Sequence, residues 1–425
     1  MSLRKKTSIA TSSIQKITPI FILVCLYIFL YIVRPWETIS FLQGYRVERW
    51  YALVMIFVSF LSKEMRLKNV PLNFWVLGIL TIHFLLAPFA FIPESAVDQG
   101  VEYFKLVVLF FLMIAVVEDE IRLKLLLKAY LFSTMLYSIH SLIEYFNGRH
   151  QYRMGISRMV GSDYSDPNSF GATLILSLPI AYVLLKSENI KFHKILIYLY
   201  FFIVVTCVVL TGSRSAFLGL FLLFIIGVFF QYPKRKLFSL IMILLTMSAV
   251  WTVMPDEKQN RVRTLWDESA GPENAQMSAH GRIAGFIISW RMFKENIWTG
   301  VGAGGDNFIG YRMAHSLDDE GHESATQPHN LYGQVLSSFG VFGFLLFIGF
   351  VFSVYKSCDF ARKRFLKISF KHSLAGALIV TLFMLLFLGM GGHNFYRPLW
   401  LWIAAWSSSL YFLAKKNTNI ITNKI

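Results

Sequence analysis

About twelve apolar runs long enough to cross a bilayer dominate this sequence of 425 residues. A spanning helix needs about 20 mainly apolar residues, or fewer where flanking groups reach the interface. The runs lie near 17–33, 49–62, 72–92, 101–117, 125–146, 168–185, 195–211, 215–230, 237–254, 331–355, 373–390 and 398–414. They predict an all-α polytopic membrane protein with about 12 transmembrane helices, in which residues 1–425 form a single polytopic domain.

The composition supports a chain surrounded by membrane lipids. Apolar residues make up 55% of the sequence and charged residues 16%, whereas charged residues make up about 25% of an average soluble protein. No segment is polar enough to form a separate soluble catalytic domain. The net charge of +16 does not predict a nucleic-acid partner, because basic residues in a membrane protein first report the orientation of its loops.

The basic loops alternate along the chain, and this alternation predicts the orientation. Lysine-rich segments at 63–68, 186–194, 234–236 and 362–367 fall on one side if the N-terminus is cytoplasmic. An even number of spans returns the C-terminus to that side. The outward loops contain most of the arginines but only Lys258 and Lys294 among the lysines. Since arginine forms a planar fork that suits phosphate, an outward site for a phosphorylated ligand is one explanation, and tolerance of scattered arginines is the other.

One predicted outward loop is much longer than the others, at residues 255–328. Long loops in compact proteins are usually functional or disordered. Within it, apolar residues recur at helical spacing between residues 280 and 298. These residues predict an amphipathic helix at the membrane surface or over a cavity: Ile283, Phe286, Ile287, Trp290 and Phe293.

A glycine run in the same loop matches a nucleotide-binding pattern without its context. Gly300, Gly302 and Gly305 fit G-x-G-x-x-G, but that fingerprint requires a preceding strand within a βαβ unit. Here a helix precedes the run. The glycines therefore predict a tight turn that brings the chain back over the membrane.

Three histidines spaced by seven, His315, His322 and His329, raise the question of a metal site, because acidic residues lie among them. A spacing of seven does not suit ligation by one helix, and Gly321 and Pro328 interrupt any helix there. For His315 and His322 a solvated acidic loop is the better interpretation, and no metal site is predicted.

His329 differs from the other two because it stands with Asn330 where the chain re-enters the membrane. An imidazole at the mouth of an outward cavity can take a proton near neutral pH, as a general base must. His393 and Asn394 form a second such pair in the short outward loop before the last span. The residue types alone do not decide between the two histidines.

Several arginines are candidates for binding an anion. Arg214 lies in the turn between two apolar spans with no acidic residue nearby in sequence, and a guanidinium there is costly unless it meets an anion or water. Arg282 and Arg291 are nine residues apart, about half a helical rotation, so only one can face a cavity beneath their helix. Arg158 precedes the helix start at residues 166–168, in what is either an ordinary loop or part of the same site.

Residues 205–355 resemble the bacterial O-antigen ligase and O-antigen polymerase superfamily. The sequence of 210–217, Leu-Thr-Gly-Ser-Arg-Ser-Ala-Phe, is similar to that family's turn motif. Gly281-Arg282 with the glycines of 300–304 resembles its large periplasmic loop, and 327–332, Gln-Pro-His-Asn-Leu-Tyr, resembles the start of its next span. The pieces occur in the family's order, whereas the N-terminal half matches only as a set of spans.

The resemblance implies a GT-C-like membrane glycosyltransferase of the bacterial inner membrane, with a periplasmic active site and no metal or other cofactor. Its donor would be a glycan on undecaprenyl diphosphate. Arg214 and Arg282 would bind the diphosphate and His329 would deprotonate the acceptor hydroxyl, so the motifs favour Arg282 over Arg291 and His329 over His393. We add Arg158 to the diphosphate site as a hypothesis. The expected supporting residues are Asn330, Asp166 and Asn168.

Three functions remain in competition. The first is an O-antigen ligase, with lipid A-core as the acceptor. The second is an O-antigen or exopolysaccharide polymerase, which uses the same donor. The third, from another class, is a secondary transporter, for which Lys105 and Lys128 inside spans would be natural. Both lysines are predicted near the ends of their spans, where they reach the interface.

Overall fold

The computed structural model describes residues 17–422 except 43, 46, 63–65, 154–155, 162–164, 230–232, 265, 268–273 and 316–326. In chain order the helices are α1 (Pro19–Val33), α2 (Pro35–Thr38), α3 (Val47–Leu61), α4 (Leu72–Leu86), α5 (Pro93–Val116), α6 (Glu120–Phe146), α7 (Pro167–Ser187), α8 (Lys191–Thr211), α9 (Arg214–Phe229), α10 (Pro233–Val253), α11 (Asp256–Arg263), α12 (Asn274–Glu295), α13 (Gly305–Ala314), α14 (Leu331–Arg364), α15 (Phe370–Gly389) and α16 (Leu399–Thr422). A short antiparallel hairpin pairs β1 (Gln151–Arg153) with β2 (Ile156–Arg158).

Each apolar run of the sequence coincides with one of these helices. Within the described residues, nine helices are long and apolar enough to cross a membrane by length and composition. The remaining three runs correspond to α3 and α9, which are shorter, and to α16, which carries serines at 407–409. The prediction of an all-α polytopic membrane protein is confirmed.

The start of α5 differs from the prediction. The helix begins at Pro93 rather than near residue 101, because proline at the first position favours a helix start while the first two turns are too polar to be recognised as apolar. Lys105 therefore lies about 18 Å along the helix from its start, at about 1.5 Å per residue. The expectation that Lys105 sits early in its span is wrong.

The long helix α14 is the centre of the fold, packing against α4, α12, α15 and α16. Gly340 interrupts it with φ 61° and ψ −156°. The glycine turn of the long loop is fastened to this interruption. The amide of Val301 donates to the carbonyl oxygen of Ser337 (2.7 Å), and the amide of Val341 donates to that of Ile297 (2.8 Å). The predicted tight turn is present, and it anchors α12 and α13 on α14.

Replacing Gly340 with alanine is expected to destabilise the protein by about 2 kcal/mol or more. The positive φ disfavours any L side chain, and an added Cβ would lie 2.4 Å from the carbonyl oxygen of Ile297. The matched control is Gly376→Ala in α15, where a Cβ would meet nothing within 4 Å and stability should stay within about 1 kcal/mol of wild type. Melting temperatures in detergent measure both changes. Equal melting temperatures for the two variants would contradict the anchoring role of Gly340.

Candidate active site

The turn between α8 and α9 is built by two adjacent helix caps. Gly212 ends α8 in the left-handed conformation, with φ 56°. Ser213 then opens α9, because its Oγ accepts a hydrogen bond from the amide of Ala216 (3.3 Å). Arg214 is consequently the first residue of α9. A helix N-terminus carries partial positive charge, so a guanidinium at this position adds to a site that favours an anion.

Two buried cations hold this turn at the end of α8. The Nζ of Lys258, from α11, donates to the carbonyl oxygen of Leu210 (3.0 Å) and to the Tyr145 hydroxyl (3.1 Å). The Nε of Arg158, from β2, donates to the carbonyl oxygen of Thr211 (3.0 Å). Positive charge at a helix C-terminus satisfies carbonyl groups that have no partner within the helix. The turn that carries Arg214 is therefore held by groups from two elements, α11 and β2.

Asn168 connects α7 to the same turn. Its Oδ1 accepts hydrogen bonds from Nη2 of Arg158 (3.1 Å) and from the Ser213 hydroxyl (2.7 Å). Arg158 is only 2% exposed. The structure thus brings Arg158 and Asn168 to the turn of Arg214, where both hold neighbouring protein groups. Contact of Arg158 with a diphosphate stays a prediction, and the geometry favours a positioning role for it.

Asp166 caps the start of α7. Its Oδ1 accepts hydrogen bonds from the amides of Asn168 (2.9 Å) and Ser169 (3.3 Å). Burial raises the pKa of the Asp166 carboxyl, but the hydrogen bonds from Ser169 and Asn168 and the charge of Arg397 lower it by more. The net pKa lies below the ordinary value of aspartic acid, so this carboxyl is ionised at neutral pH.

Arg282, on α12, interacts electrostatically with Arg214 and with Asp166. The charges of Arg214 and Arg282 repel each other. Burial lowers the pKa of the Arg282 guanidinium, and the charge of Asp166 partly restores it. Arg291, nine residues further along α12, is exposed, so the two arginines differ in environment as their spacing predicts. The Nη1 of Arg214 donates to the Thr264 hydroxyl (2.8 Å).

His329 lies directly before α14 in a strained backbone conformation. Its φ is 46°, and Arg34 is the only other non-glycine residue with positive φ in the described part of the chain. Such conformations persist where the surroundings enforce them, often at functional sites. The surroundings here are tight, because a Cβ added to Gly285 of α12 would lie 2.5 Å from the carbonyl oxygen of Pro328.

Asn330 fixes the residue that follows His329. Its Oδ1 accepts hydrogen bonds from the amides of Tyr332 (2.9 Å) and Gly333 (3.0 Å), which makes it the N-cap of α14. Its Nδ2 donates to the carbonyl oxygen of Met390 (3.0 Å) at the end of α15. Asn330 therefore supports His329 through the backbone and ties it to the 390–398 loop.

The second histidine, His393, belongs to the same site. Its ring centroid lies 5.2 Å from that of His329. Burial lowers the pKa of His393 to about 4, the charges of His329 and Arg397 add to this effect, and Asp166 opposes it. His393 is therefore uncharged at neutral pH. The two His-Asn pairs, between which residue types could not choose, lie side by side.

The residue that the sequence reasoning missed is Arg397. Its Nη1 donates to the carbonyl oxygen of Ser169 (2.9 Å), and its Nη2 donates to the Ser169 hydroxyl. These bonds join the 390–398 loop to the first turn of α7, beside Asp166. The available signal was an arginine in a short outward loop four residues after His393, but nothing in the sequence indicated its partner on α7.

The other candidate groups have simpler environments. His315 stacks on Tyr311 with ring centroids 3.9 Å apart, and the acidic loop with His322 lies outside the described residues. Lys128 pairs with Glu188, and Lys105 with Glu102. Each lysine in question for the transporter thus has a carboxylate partner.

Taken together, three helix N-termini meet around one group of side chains. Hydrogen bonds join α7 to α9 through Asn168, α14 to the 390–398 loop through Asn330, and that loop to α7 through Arg397. Helix N-termini and guanidinium groups both favour an anion. Next to them lie two imidazoles, one of which is uncharged. The arrangement suits the binding of an anionic group beside a proton acceptor.

Two comparisons with known proteins show what this chain is similar to. Residues 199–348 match the family model described as O-antigen ligase. A protein of Rickettsia conorii named "Putative polysaccharide ligase" is 23% identical over 257 residues, which cover 59% of this chain and 58% of that protein. The match spans less than two thirds of the relative's length. Arg214, Arg282 and His329 all fall inside the region matched by the family model. Residues 199–348 of the chain thus carry a region similar to the O-antigen ligase family.

Proposed function

We propose that this protein is an O-antigen ligase of the bacterial inner membrane. It transfers glycan from undecaprenyl diphosphate to a sugar hydroxyl of lipid A-core at the periplasmic face, and both of its termini are cytoplasmic. The match to the O-antigen ligase family model and the similarity to a polysaccharide ligase support a ligase-type enzyme acting on a lipid-linked polysaccharide. The donor, the acceptor and the sidedness are the parts that we add.

In the proposed reaction, His329 accepts the proton of the acceptor hydroxyl, and the hydroxyl oxygen attacks the anomeric carbon of the donor sugar. The bond between that carbon and the diphosphate oxygen breaks on the opposite side, so the configuration inverts. Negative charge grows on the departing diphosphate, and Arg214 and Arg282 stabilise it with charge-assisted hydrogen bonds. The proposal assigns this stabilisation to guanidinium groups rather than to a metal ion.

The observation that carries the proposal is the electrostatics around Arg214. The buried Arg214 is the first residue of α9, and its charge repels that of the half-buried Arg282 on α12. The N-terminus of α9 adds partial positive charge to that of the two guanidinium groups. A diphosphate bound there would be stabilised by all three. His329 lies beside His393, and His393 interacts electrostatically with Asp166. Asp166 in turn interacts with Arg282, so the imidazoles and the arginines belong to one site.

A gel of surface lipopolysaccharide from a strain lacking this gene tests the proposal. We expect bare lipid A-core, with the polymer accumulating on its lipid carrier, and restoration of the ladder by the wild-type gene. Core capped with a single repeat would instead identify a polymerase. An unchanged ladder would contradict both functions, and solute uptake into proteoliposomes would then test the transporter.

A further inference from the structure

A polar cavity lies among the N-terminal helices, outside the region matched by the family model. It has about 430 Å³ of empty space including its open mouth. The residues that line it come from α1, α3, α5 and the 390–398 loop: Tyr27, Tyr31, Glu48, Gln99, Glu102, Tyr103, Lys105, Leu106 and Tyr396.

The α5 wall of this cavity is unusual for a membrane-spanning helix. Glu102 and Lys105 form an ion pair one turn apart, and their side chains are 60% and 38% exposed. Ionisable groups within a spanning helix are costly and usually mark a functional site or pathway. An open ion pair inside the helix therefore indicates a polar ligand in the cavity.

Tyr103 and Glu48 add two further polar groups to the lining of the cavity. Tyr103 is buried, at 5% exposed, and its hydroxyl has no hydrogen bond to any residue in the described part of the chain. The Tyr103 hydroxyl is therefore available to a ligand in the cavity. Glu48, in the first turn of α3, interacts with the hydroxyl of Tyr27. A ligand rich in hydroxyl groups would give Tyr103 a partner and would offer further donors to the Glu48 carboxylate.

The combination of groups suits a saccharide. Tyrosine offers an apolar ring face together with a polar hydroxyl, and carboxylate and amide oxygens accept hydrogen bonds from hydroxyl groups. A sugar ring presents C–H groups on its faces and hydroxyl groups around its edge. A hydrocarbon chain would offer no hydrogen bond to the Tyr103 hydroxyl or to the Gln99 amide.

The 390–398 loop joins this cavity to the candidate active site. His393 of the loop contacts His329, whereas Tyr396, three residues later, lines the cavity. Tyr396 is fixed in place because its hydroxyl accepts a hydrogen bond from the amide of Gly304 (3.2 Å). The arginines belong to α9 and α12, while the cavity belongs to α1, α3 and α5. Donor and acceptor could thus occupy different sets of helices and meet at His329.

We infer that the cavity between α1, α3 and α5 binds a saccharide unit of the glycolipid acceptor, which enters it laterally from the bilayer. This inference rests on the proposed function. It places acceptor selection in the N-terminal half of the chain, which lies outside the family match at 199–348.

Binding of lipid A-core to the full-length protein in nanodiscs, with no donor present, tests the inference. The lipid A-core is purified from the strain that lacks this gene. Tyr103→Phe and Glu48→Gln each remove one hydrogen-bonding group while keeping the shape, and each should weaken binding about tenfold. The matched controls are the exposed Tyr152→Phe on β1 and Glu94→Gln at the start of α5, which should bind as wild type does. Melting temperatures confirm that all four variants fold.

Two further measurements separate the possible outcomes. An excess of free core oligosaccharide should displace the lipid A-core. Failure to displace it would assign the cavity to a lipid headgroup and overturn the saccharide assignment. If wild type transfers glycan while Tyr103→Phe and Glu48→Gln bind lipid A-core normally, the inference fails and the proposed function stands. If wild type transfers no glycan, the proposed function fails, and the binding measurement still decides whether the cavity holds a saccharide.

Discussion

Replacing His329 with asparagine is expected to lower the rate of glycan transfer by about 10²- to 10⁴-fold, the usual contribution of a general base. Asparagine is the suitable variant because it tolerates the positive φ of 46° at this position and removes the imidazole. Binding of the undecaprenyl diphosphate donor should be unchanged, since the proposed role of His329 concerns the acceptor proton. Transfer in proteoliposomes and donor binding to the purified variant measure the two quantities separately.

The control for this experiment is His315→Asn. His315 is exposed and stacks on Tyr311, and its replacement should leave transfer unchanged. A second comparison is His393→Asn, which keeps a polar group beside His329 and should cost less than the loss of His329 itself. Normal transfer by His329→Asn would exclude this residue as the base, and a large loss only in His393→Asn would transfer the role to its neighbour.

The helices were largely predictable from the sequence, because a bilayer requires long apolar segments with their backbone groups satisfied internally. Hydropathy therefore found a helix at each apolar run. It failed where a helix extends beyond its apolar part, as at the polar first turns of α5. It also gave no sign of the break in α14, because Gly340 adopts its conformation only against Ile297 and Trp298 of the long loop. That contact depends on packing between distant segments.

The candidate site was predictable where local chemistry is unusual. Arg214 was indicated by its place in a turn between two apolar spans with no acidic residue nearby in sequence, and Arg282 was separated from Arg291 by helical spacing. The support for these residues was not predictable. The hydrogen bonds from Arg397 to Ser169 and from Lys258 to Leu210 join residues far apart in the chain. A single sequence contains no pattern that pairs such residues. Arg158 was therefore predicted to bind the diphosphate, whereas its hydrogen bonds to Thr211 and Asn168 indicate that it positions the turn.

Replacing Arg214 or Arg282 with lysine is expected to lower the transfer rate by about 10²- to 10³-fold, as for loss of one donor to a developing negative charge. Lysine keeps the positive charge but lacks the planar fork that binds two phosphate oxygens at once. Net charge is therefore constant in this comparison, and geometry is the variable. The matched control is Arg291→Lys, an exposed position on the same helix as Arg282, which should transfer at the wild-type rate. Full activity in both Arg214→Lys and Arg282→Lys would show that no bidentate contact is made.

The neutral variants Arg214→Gln and Arg282→Gln distinguish a binding role from a structural one. Arg214→Gln relieves the repulsion between the two charges but loses the hydrogen bond to Thr264, so it should abolish donor binding while lowering the melting temperature by less than Arg158→Gln does. Arg158 provides the opposite case, since it is buried and its hydrogen bonds go to Thr211 and Asn168, and Arg158→Gln should lower the melting temperature. A lower melting temperature in Arg214→Gln, with donor binding intact, would mean that the guanidinium holds the turn and that the diphosphate binds elsewhere. Loss of donor binding in Arg214→Gln without a large loss of stability would mean that the guanidinium binds the diphosphate and is not needed to hold the turn.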